Sequence, residues 1–352
     1  MKIVHVTEAF EGGVIEFLRC LTNSTPDIEH TIIYGRHHFF EQAYKSFPGR
    51  VKFIAWPEIN TKISLQKDIK ALQHLIKILK DQKPIDVIHL HSAKAGILGR
   101  IAARRIGQKK VIYAPHGATF LRKDVSVFVR TAFATIEKAV NIFPAKVVGV
   151  SKSEADAYRK IGIKAKHVNN GKFFPASPGK KNDKNSFIIV TTGRAMRQKN
   201  PALFNQIASA FTDNAQVQFI WIGDGNQRNF LTSPNIKITG WVDRAEVENN
   251  LQNADLYIST ALWEGLSYAV LEAMSMRLPL LLTACPGNND LVENGINGFL
   301  FNYPAQAIDF INQYIKNREL LQAHGQASFN MLQTNFSVEQ MAEGYRKVYS
   351  SI

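Results

Sequence analysis

The stretch STALWEGLSYAVLEAM, residues 259–274, decides the fold of this chain. An apolar strand, Asp255–Thr260, runs into a turn that carries Glu264, and a helical pattern begins near Tyr268. Strands that pass through a turn into a helix build parallel α/β sheets. Gly265 is expected to permit the turn, because glycine adopts backbone angles that other residues avoid. The sequence therefore places Glu264 beside the N–H groups of a helix N-terminus, which attract anions.

A second glutamate, Glu272, lies about one turn into the same helical pattern, and its side chain can point back towards the ligand of Glu264. One carboxylate can bind sugar hydroxyls, the other a ribose, and the N–H groups a phosphate. This arrangement suits a sugar nucleotide. Two glutamates at this spacing are also typical of a solvated helix surface, so the spacing by itself leaves both interpretations open.

The chain of 352 residues is longer than one hydrophobic core usually supports, so two domains are expected. Apolar strands alternate with helical segments on both sides of the stretch 169–186, which is rich in Gly, Pro, Asn and Lys. The sequence therefore predicts an N-terminal Rossmann-like domain over 1–168, a linker over 169–186 and a C-terminal Rossmann-like domain over 187–336.

The predicted elements alternate as doubly wound sheets require. Strands of the first domain are expected at Lys2–Thr7, Thr31–Gly35, Val51–Ala55, Asp86–His91, Lys110–Ala114 and Lys146–Val150, with helices clearest at Leu65–Asp81, Lys94–Ile106 and Val125–Asn141. Strands of the second are expected at Phe187–Thr192, Val217–Ile222, Ile236–Thr239, Asp255–Thr260, Pro279–Thr283 and Gly298–Phe301.

The net charge of +14 is distributed unevenly. Residues 1–185 contain 32 Lys and Arg against 15 Asp and Glu, whereas residues 186–352 contain 11 against 14. Basic helices attract nucleic acid or anionic lipid headgroups, and a solvated lysine-rich face is the alternative. A membrane-facing basic patch is expected on and just after one helix, at Arg100, Arg104, Arg105, Lys109 and Lys110.

Cys20 and Cys285 are far apart in the sequence, which favours neither a disulfide framework nor a zinc site and suits a reducing cytoplasm. The N-terminal run MKIVHVTEAFEGG is too short and too acidic for a signal peptide. No stretch reaches the ~18 apolar residues of a spanning helix. The protein is expected to be cytoplasmic, with peripheral contact at the inner face of the membrane.

Two motifs of the first domain place polar or flexible residues at strand ends. TEAFEGG puts Gly12 and Gly13 between a strand and a helical pattern, where backbone can approach a ligand, although a plain turn explains them equally well. DVIHLHSAKAGILGR places His89, His91 and Lys94 at a strand end and helix start. The histidines share one face of the strand, but no third ligand is evident, so no metal site is expected.

A third histidine, His116, lies in APHGATF just after the strand Lys110–Ala114. Open α/β sheets bind ligands at the carboxyl ends of their strands. A lone histidine is nevertheless more often structural, so a ligand role and a packing role both remain open for His116.

Cations follow the first strand of the second domain. TTGRAMRQKNP contains Arg194 and Lys199 ahead of a helix that Asn200-Pro201 is expected to start. Two cations here can neutralise the charge that grows on a departing nucleoside diphosphate, and Arg197 is a weaker candidate. No Asp-x-Asp pair occurs in the chain, so a metal-bridged diphosphate is not indicated and no metal or cofactor is expected.

Trp241 and Val242 lie in TGWVDR, a turn that follows another strand of the second domain. By itself this turn is a weak signal for a ligand site. A buried tryptophan that packs between elements is an equally good explanation for the Trp241 side chain.

These motifs together resemble the retaining glycosyltransferases of family 4, most closely along residues 259–301, and the resemblance extends over nearly the whole chain. It implies the GT-B fold, in which two Rossmann-like domains face a cleft, and a C-terminal helix over Ser337–Tyr349 that crosses back to the first domain, so that 337–352 joins it. Two positions depart from the common pattern: Ser267 stands where many members have Gly or Pro, and Asp290 where many have Glu.

The resemblance also implies roles for individual residues. Gly12 and Gly13 would lie against the donor diphosphate and the acceptor, and His116 would contact the donor sugar. Glu264 would bind the sugar and Glu272 the ribose. The leaving diphosphate would be stabilised by Arg194, Lys199 and the helix N-terminus at Gly265, Leu266 and Ser267, and the nucleobase would be bound at Trp241 and Val242.

The sequence is therefore interpreted as a metal-independent glycosyltransferase that transfers a hexose or an N-acetylhexosamine. The expected donor is a UDP-sugar, and the expected acceptor is a lipid-linked glycan in surface polysaccharide or lipopolysaccharide synthesis. Contact with an anionic membrane is expected, and no nucleic-acid partner is. Two alternatives remain: a nucleotide-sugar epimerase of the same fold, and a non-catalytic basic protein that binds lipid or nucleic acid.

Overall fold

The computed structural model describes residues 1–36, 44–60, 64–143, 145–173 and 186–352, which form two compact units. The first unit consists of Met1–Leu121, Val125–Gly171 and Val338–Ile352, and the second of Arg122–Asp124 and Lys172–Ser337. The division after Gly171 falls inside the stretch 169–186. Residues 174–185 of that predicted linker lie outside the described residues.

The first unit is built on a seven-stranded parallel sheet with the order β3-β2-β1-β4-β5-β6-β7. Its strands are β1 Lys2–Ala9, β2 Glu29–Arg36, β3 Lys52–Ala55, β4 Val87–His91, β5 Val111–Ala114, β6 Lys146–Gly149 and β7 Ala165–His167. Its helices are α1 Gly13–Ser24, α2 Leu65–Asp81, α3 Ala93–Arg105, α4 Val127–Val140 and α5 Lys152–Lys160, with the C-terminal helix α11 Val338–Ser350.

The second unit is built on a six-stranded parallel sheet with the order β10-β9-β8-β11-β12-β13. Its strands are β8 Phe187–Thr192, β9 Val217–Ile222, β10 Ile236–Ile238, β11 Leu256–Ser259, β12 Leu280–Thr283 and β13 Gly298–Phe301. Its helices are α6 Pro201–Ser209, α7 Arg244–Gln252, α8 Tyr268–Ser275, α9 Pro304–Lys316 and α10 Arg318–Asn335. Asn200 caps α6 and Pro201 is its first residue, as the sequence indicates.

The strands and helices that the sequence predicts are confirmed to within two residues at their ends, and α11 belongs to the first unit as expected. The sequence patterns do not predict β7 or α5. β7 is a three-residue edge strand with no buried side chain, so no apolar alternation marks it. α5 has little apolar surface and begins instead with a serine N-cap, in which the Ser151 hydroxyl accepts the Glu154 N–H at 3.2 Å.

Each sheet changes the direction of its strand order at one point. In the first sheet β1 lies between β2 and β4, and in the second β8 lies between β9 and β11. Loops that leave two adjacent strands towards opposite faces open a crevice at their carboxyl ends, which is where doubly wound folds bind ligands. Sites are therefore expected after β1 and β4 in the first unit and after β8 and β11 in the second.

Candidate active site

In the second unit, the loops after β8 and β11 bring a cation and a carboxylate together. Lys199 ends a short 3-10 turn, Arg197–Lys199, and its Nζ lies 2.7 Å from Oε1 of Glu264. The Lys199 side chain is 19% exposed and that of Glu264 9%. Burial opposes the charge of Lys199, but the Glu264 carboxylate outweighs it and raises the pKa of Lys199 above its ordinary value. Lys199 is therefore a fixed cation at neutral pH.

Hydrogen bonds hold the two loops against each other on both sides of this pair. Gln198 donates from Nε2 to the Trp263 carbonyl at 3.0 Å, and its own carbonyl accepts from the Leu262 N–H at 2.8 Å. Thr260 donates from Oγ1 to the Lys199 carbonyl at 2.7 Å. Because each of these bonds joins one loop to the other, the positions of the cation and the carboxylate are set before any ligand binds.

The turn between β11 and α8 differs from the expectation for Gly265. Gly265 does not have a positive φ angle, whereas Gly287 does, at 84°. A Cβ at Gly287 would lie 2.6 Å from the Gly265 carbonyl oxygen and 3.0 Å from the Glu264 Cβ. The prediction that Gly265 supplies unusual backbone angles is wrong, since the position that requires glycine is 287, where the PGNND loop passes close to Glu264.

Helix α8 begins directly after the Glu264 turn. Its N-cap residue, Ser267, makes no side-chain capping bond, and Leu266 and Ser267 are both buried. The first-turn N–H groups of α8 are therefore not satisfied by a capping side chain from Ser267. The Val270 N–H donates to the Ser267 carbonyl at 3.2 Å, and the helix dipole gives this N-terminus a partial positive charge that attracts anions.

Glu272 lies on α8 and pairs with Lys172, which is not among the predicted site residues. Lys172 Nζ is 3.0 Å from Glu272 Oε1, and the Lys172 side chain is 3% exposed whereas that of Glu272 is 28% exposed. Glu264 and Glu272 thus each form an ion pair with a lysine of the second unit. The sequence places Lys172 in the predicted linker, and no periodicity or motif around it signals this contact.

The other cations of the loop after β8 are at the surface. Arg194 follows the strand and is exposed. Arg197 is 66% exposed, and its Nε lies 3.6 Å from a carboxylate oxygen of Asp124, which also pairs with Arg122 at 2.7 Å. Arg194 remains the second cation candidate, and Arg197 the weaker one.

Trp241 and Val242 lie in the turn between β10 and α7. The Trp241 side chain is 61% exposed, so the alternative that it is a buried packing residue is wrong. The preceding residues are held in place, because the Gly223 N–H donates to the Thr239 hydroxyl at 3.2 Å. An exposed indole and its backbone are accessible to a ligand at this end of the sheet.

Cys285 is a buried thiol near Glu264. Burial, with a contribution from the Glu264 carboxylate, raises the pKa of Cys285 to about 12. A thiol with this pKa stays protonated at neutral pH, and the thiolate is the nucleophilic form. Cys285 is therefore not a nucleophile here.

In the first unit, Gly12 and Gly13 start helix α1 and both are exposed. Gly12 is the N-cap residue with a φ of 57°, and a Cβ there would meet no atom within 4 Å, so the backbone angle rather than space favours glycine. One turn further along α1, the Phe17 ring lies 4.8 Å from the ring of His116. The glycine turn and His116 thus belong to connected elements.

His116 follows β5 in a backbone turn with a φ of 55°. The turn is fixed by Glu154 on α5, whose Oε1 accepts the N–H groups of Gly117 at 2.7 Å and Ala118 at 3.0 Å. Glu154 is not among the site residues predicted from the sequence, although the S-x-x-E pattern at 151–154 is the signal of a capping box that could have identified it.

His89 and His91 on β4 are fully buried, and the structure adds a third histidine, His5 on β1. Side-chain nitrogens of the three lie within 4.8 Å of one another. His5 and His91 are hydrogen-bonded to each other at 3.1 Å, and His89 Nδ1 bonds the Tyr349 hydroxyl at 3.0 Å. The expectation that no third nitrogen ligand lies near His89 and His91 is therefore wrong. His89 Nε2 is buried and makes no hydrogen bond with any of the described residues, so His89 is not bonded to the other two.

Lys94 and the start of α3 are already paired within the first unit. Lys94 Nζ lies 2.7 Å from an Asp68 carboxylate oxygen. The buried carboxylate of Glu8 accepts the N–H groups of Lys94 at 3.3 Å and Ala95 at 3.0 Å. Glu8 therefore fills the position that a phosphate would need at this helix N-terminus.

Comparison with known proteins agrees with this geometry. Residues 186–317 match the family described as glycosyl transferases group 1, and residues 38–170 match the glycosyl transferase 4-like domain. Over 330 residues the chain is 32% identical to UDP-Gal:alpha-D-GlcNAc-diphosphoundecaprenol alpha-1,3-galactosyltransferase of Escherichia coli, and the match covers 83% of this chain and 82% of that enzyme. This chain is a glycosyltransferase of family 4.

The glycosyltransferase has further relatives of the polysaccharide-synthesising type. It is 28% identical over 296 residues to the Escherichia coli O-antigen biosynthesis glycosyltransferase WbnH, covering 80% of this chain and 81% of that one. It superposes on Anabaena HepE, solved in complex with UDP and glucose, with a TM-score of 0.81 over the full length of both chains at 18% identity. This similarity confirms the GT-B fold.

The basic patch expected on the glycosyltransferase is smaller than the sequence suggests. Arg100 is 1% exposed, its guanidinium lies 3.5 Å from the Glu137 carboxylate and stacks 4.3 Å over the ring of Tyr113. Arg100 is therefore an internal ion-pair partner between α3 and α4 and not a membrane contact. The remaining basic residues of the patch are exposed: Arg104, Arg105, Lys109 and Lys110.

None of the helices in the described part of the glycosyltransferase combines the length and the hydropathy that a membrane span requires. Helix α4 nevertheless exposes large apolar side chains in and beside it. These are Val127 at 63%, Phe128 at 88%, Ile136 at 44% and Ile142 at 80% exposure.

Proposed function

We propose that this glycosyltransferase transfers a hexose from a UDP-sugar to a lipid-linked glycan in surface polysaccharide synthesis, with retention of configuration at the anomeric carbon. The observation that carries the proposal is the largely buried pair of Lys199 and Glu264 at the switch point of the second sheet, 2.7 Å apart. It offers a cation for a departing diphosphate and a carboxylate for sugar hydroxyls in one preorganised place.

The remaining binding roles follow from position in the second unit. The N-terminus of α8, at Gly265, Leu266 and Ser267, binds phosphate oxygens of the donor, and Arg194 adds a second positive charge. Glu272 retains 28% exposure while it pairs with Lys172, so its carboxylate can also accept from ribose hydroxyls. The nucleobase is bound at Trp241 and Val242.

In the first unit, His116 contacts the donor sugar, and the exposed turn at Gly12 and Gly13 lets backbone approach the diphosphate and the acceptor. His116 is partly exposed, and its backbone turn is held by Glu154. These assignments rest on the family resemblance and on the accessibility of the residues.

The reaction needs no covalent enzyme intermediate. The bond between the anomeric carbon and the phosphate oxygen breaks, the acceptor oxygen bonds to that carbon on the face the diphosphate leaves, and the acceptor proton passes to the departing phosphate. Two observations support this route over a nucleophilic side chain. Glu264 already bonds Lys199, and the thiol of Cys285 stays protonated.

A UDP-hexose is the donor we favour, because the Escherichia coli relative is named for UDP-Gal and the Anabaena structure holds UDP and glucose. The same relative is named for a diphosphoundecaprenol-linked acceptor, which supports a lipid-linked acceptor here. No metal or other cofactor is proposed, since fixed cations take the place of a metal at the diphosphate.

A panel of sugar nucleotides tests the proposed function. UDP-galactose, UDP-glucose and UDP-N-acetylglucosamine should raise the melting temperature and be hydrolysed slowly, and transfer should require an added diphosphoundecaprenol-linked sugar. A ligand at 100 times its Kd stabilises the folded state by about 2.7 kcal/mol, which is readily measured. GDP-sugars are the matched control. Conversion of the donor to an epimer without an acceptor would establish the epimerase alternative instead.

We also propose peripheral contact with an anionic membrane through the end of α3 and the exposed side of α4, which we call the α3–α4 surface. It combines the exposed cations Arg104, Arg105, Lys109 and Lys110 with the exposed apolar side chains Val127, Phe128, Ile136 and Ile142. The Arg100–Glu137 contact joins the two helices, so both sets belong to neighbouring elements. Basic and apolar residues together are typical of interfacial membrane binding.

Vesicle binding tests the α3–α4 surface. Binding to anionic vesicles should decrease with salt, because each basic residue contributes about 1 kcal/mol and is screened. Replacing Arg104, Arg105, Lys109 and Lys110 by Ser should abolish it, while transfer to a short soluble acceptor is kept. The matched control replaces four exposed lysines of α2 by Ser, namely Lys67, Lys70, Lys77 and Lys80. Equal binding by both variants, or to neutral and anionic lipid, contradicts the proposal.

A further inference from the structure

Five side chains form a continuous hydrogen-bonded chain within the first unit that ends at His116. The nitrogen and oxygen separations are 2.8 Å for Thr25 Oγ1 to His30 Nε2, 3.0 Å for His30 Nδ1 to His5 Nε2, 3.1 Å for His5 Nδ1 to His91 Nε2 and 2.9 Å for His91 Nδ1 to His116 Nε2. The first four residues are fully buried, and His116 is partly exposed.

The polarity of this chain is set at Thr25. The Thr25 hydroxyl has a single proton. Its oxygen, Oγ1, lies 2.6 Å from the carbonyl oxygen of Leu21, which can only accept a hydrogen bond. Thr25 therefore donates to Leu21. Its lone pair must accept the remaining bond, so the proton between Thr25 and His30 belongs to His30 Nε2.

Neutral imidazoles transmit this polarity, because each donates from one nitrogen and accepts at the other. Burial lowers the pKa of His5 and His91 well below 6.5, that of His30 to about 4 and that of His116 to about 3, so all four are neutral at pH 7. With Nε2 of His30 as a donor, its Nδ1 accepts from His5. The same logic gives His5 Nδ1 as the acceptor from His91 and His91 Nδ1 as the acceptor from His116.

We infer that Thr25, His30, His5 and His91 are positioning residues that fix His116 as the Nε2–H tautomer and leave its Nδ1 as a hydrogen-bond acceptor. That nitrogen has no protein partner among the described residues of the chain. A ligand group that donates, such as a hydroxyl, satisfies it, and a group that only accepts does not. The tautomer follows from the hydrogen bonds between neutral imidazoles, whereas its use towards a sugar hydroxyl rests on the proposed function.

A metal ion is the competing occupant of this region, since His5, His89 and His91 could act as ligands. A metal bound to the facing nitrogens of His5 and His91 would remove the proton that joins them. The polarity set at Thr25 would then stop at His5. Metal content therefore decides between the two arrangements.

The tautomer of His116 is measured by NMR of protein with ¹⁵N-labelled histidine, in which the shifts and proton couplings of Nδ1 and Nε2 report which nitrogen carries the proton. The wild type should have the proton on Nε2 of His116, with signals assigned by loss in His116→Gln. Thr25→Val keeps the shape of the side chain and removes the acceptor, so His116 should become a mixture of tautomers. Thr25→Ser keeps the hydroxyl and should retain the wild-type tautomer.

Thr22→Val is the matched control. Thr22 is also buried on α1, but its hydroxyl donates to the Arg19 carbonyl at 3.4 Å and contacts no histidine. Thr25→Val should lower kcat/KM for the donor about tenfold, as expected for one hydrogen bond, with UDP affinity unchanged, and Thr22→Val should not.

Three results would overturn the inference: a proton on Nδ1 of His116 in the wild type, an unchanged tautomer in Thr25→Val, or one equivalent of transition metal in the purified protein. The tautomer measurement uses no sugar nucleotide. Failure of UDP-sugar transfer with the expected tautomers would therefore reject the proposed function and leave the hydrogen-bonded chain in place.

Discussion

The candidate ligand-binding side chains at the carboxyl ends of the two sheets differ in charge. The second sheet places ion pairs there, Lys199 with Glu264 and, on α8, Lys172 with Glu272. The first sheet has neutral histidines there, His91 at the end of β4 and His116 after β5, and their hydrogen-bonded chain starts at the amino end of β2 with His30. Both ends belong to doubly wound parallel sheets, so the backbone does not cause the difference. The difference is caused by the side chains that surround each buried group. A buried lysine stays charged beside a carboxylate, whereas a buried histidine among other histidines stays neutral.

This contrast runs against the overall charge of the chain. Residues 1–185 carry the excess of Lys and Arg, yet the histidines that lead to His116 are neutral, and cations such as Arg104 and Lys110 lie at the surface. The nearly balanced second half holds Lys199 in a largely buried ion pair at the switch point of its sheet. Net charge therefore describes the surface of this enzyme, and the site depends on local pairing.

The largest effect should come from removing the fixed cations of the second sheet. Arg194→Ala together with Lys199→Ala should lower turnover by at least about 10²–10³-fold, the magnitude for a lost electrostatic contact to a developing negative charge. The change also leaves Glu264 without its lysine. Initial rates with saturating donor and acceptor measure the effect.

The control for that pair removes two other cations of the same unit, Arg228→Ala with Lys237→Ala, both exposed. It should leave turnover within a factor of about two, as surface pairs contribute little. A similar loss in both double variants would mean that the overall charge of the unit matters and not the position of Lys199.

A second, smaller effect should separate the two glutamates. Glu272→Ala should weaken UDP binding by ~1.5–3 kcal/mol, or roughly 10–150-fold, through loss of charge-assisted hydrogen bonds to ribose. Glu264→Ala should instead reduce turnover with a smaller change in UDP affinity. Calorimetric titration with UDP measures both.

Glu246→Ala serves as the control for the glutamate variants, because Glu246 is an exposed glutamate on α7 of the same unit. Since Glu272→Ala also leaves Lys172 without its carboxylate, the melting temperature has to be recorded in parallel. Equal UDP affinity in wild type and a folded Glu272→Ala variant contradicts the ribose role.

A third effect concerns the response to pH. The buried histidines of the first unit have pKa values below 6.5 when folded, about 4 for His30, and regain ordinary values on unfolding. The unfolded chain then binds more protons, so the free energy of unfolding should fall as the pH drops from 6.5 towards 4. The raised pKa of Lys199 acts in the other direction, because its contribution is lost only as the pH rises through that alkaline value.

Urea unfolding between pH 7 and pH 5 measures this contrast. His30→Asn removes one buried neutral imidazole and should reduce the pH dependence by up to about 1.4 kcal/mol per pH unit, the value for one proton. His167→Asn replaces an exposed histidine of the same unit and should leave the slope unchanged. An identical slope in the two variants contradicts the neutral state of His30.

Much of this molecule could be predicted from local pattern, and the rest depends on contacts between distant segments. The strands, the helices and the positions of Lys199 and Glu264 follow from periodicity and from the rule that ligands bind at strand ends. The partner of Glu272 could not be predicted, because Lys172 is 100 positions away and lies in a stretch without pattern. The sequence predicts Arg100 at the surface because charged residues usually lie there. Its contacts with Glu137 and Tyr113 depend on the packing of distant segments.

The histidine chain is the clearest case of information that local sequence lacks. His5, His30, His91 and His116 come from four segments, and only the strand order of the first sheet brings β1 between β2 and β4. The spacing of His89 and His91 suggested one shared face, which is correct, but their partners are set by register. Conversely, the position of Gly265 after Glu264 predicts unusual backbone angles there, whereas the positive φ angle belongs to Gly287.

The smallest effect should be that of a chelator, for which we expect no loss of activity. A metal at the diphosphate would stabilise the same charge that Lys199 and Arg194 are proposed to stabilise, so a site with fixed cations gains little from one. The chain has no Asp-x-Asp pair, and the group of three potential ligands found among the described residues, His5, His89 and His91, lies in the first unit.

Initial rates after dialysis against EDTA, with and without added Mg²⁺ or Mn²⁺, measure this prediction. The Arg194→Ala, Lys199→Ala enzyme assayed alongside calibrates the loss expected when charge stabilisation at the diphosphate is removed. Loss of wild-type activity in EDTA that either metal restores would contradict the fixed-cation site. The charge of the diphosphate would then be stabilised by a bound metal ion and not by the side chains of the second sheet alone. If wild-type rates are unchanged in EDTA and the double variant is strongly impaired, the positive charge that stabilises the diphosphate comes from Arg194 and Lys199.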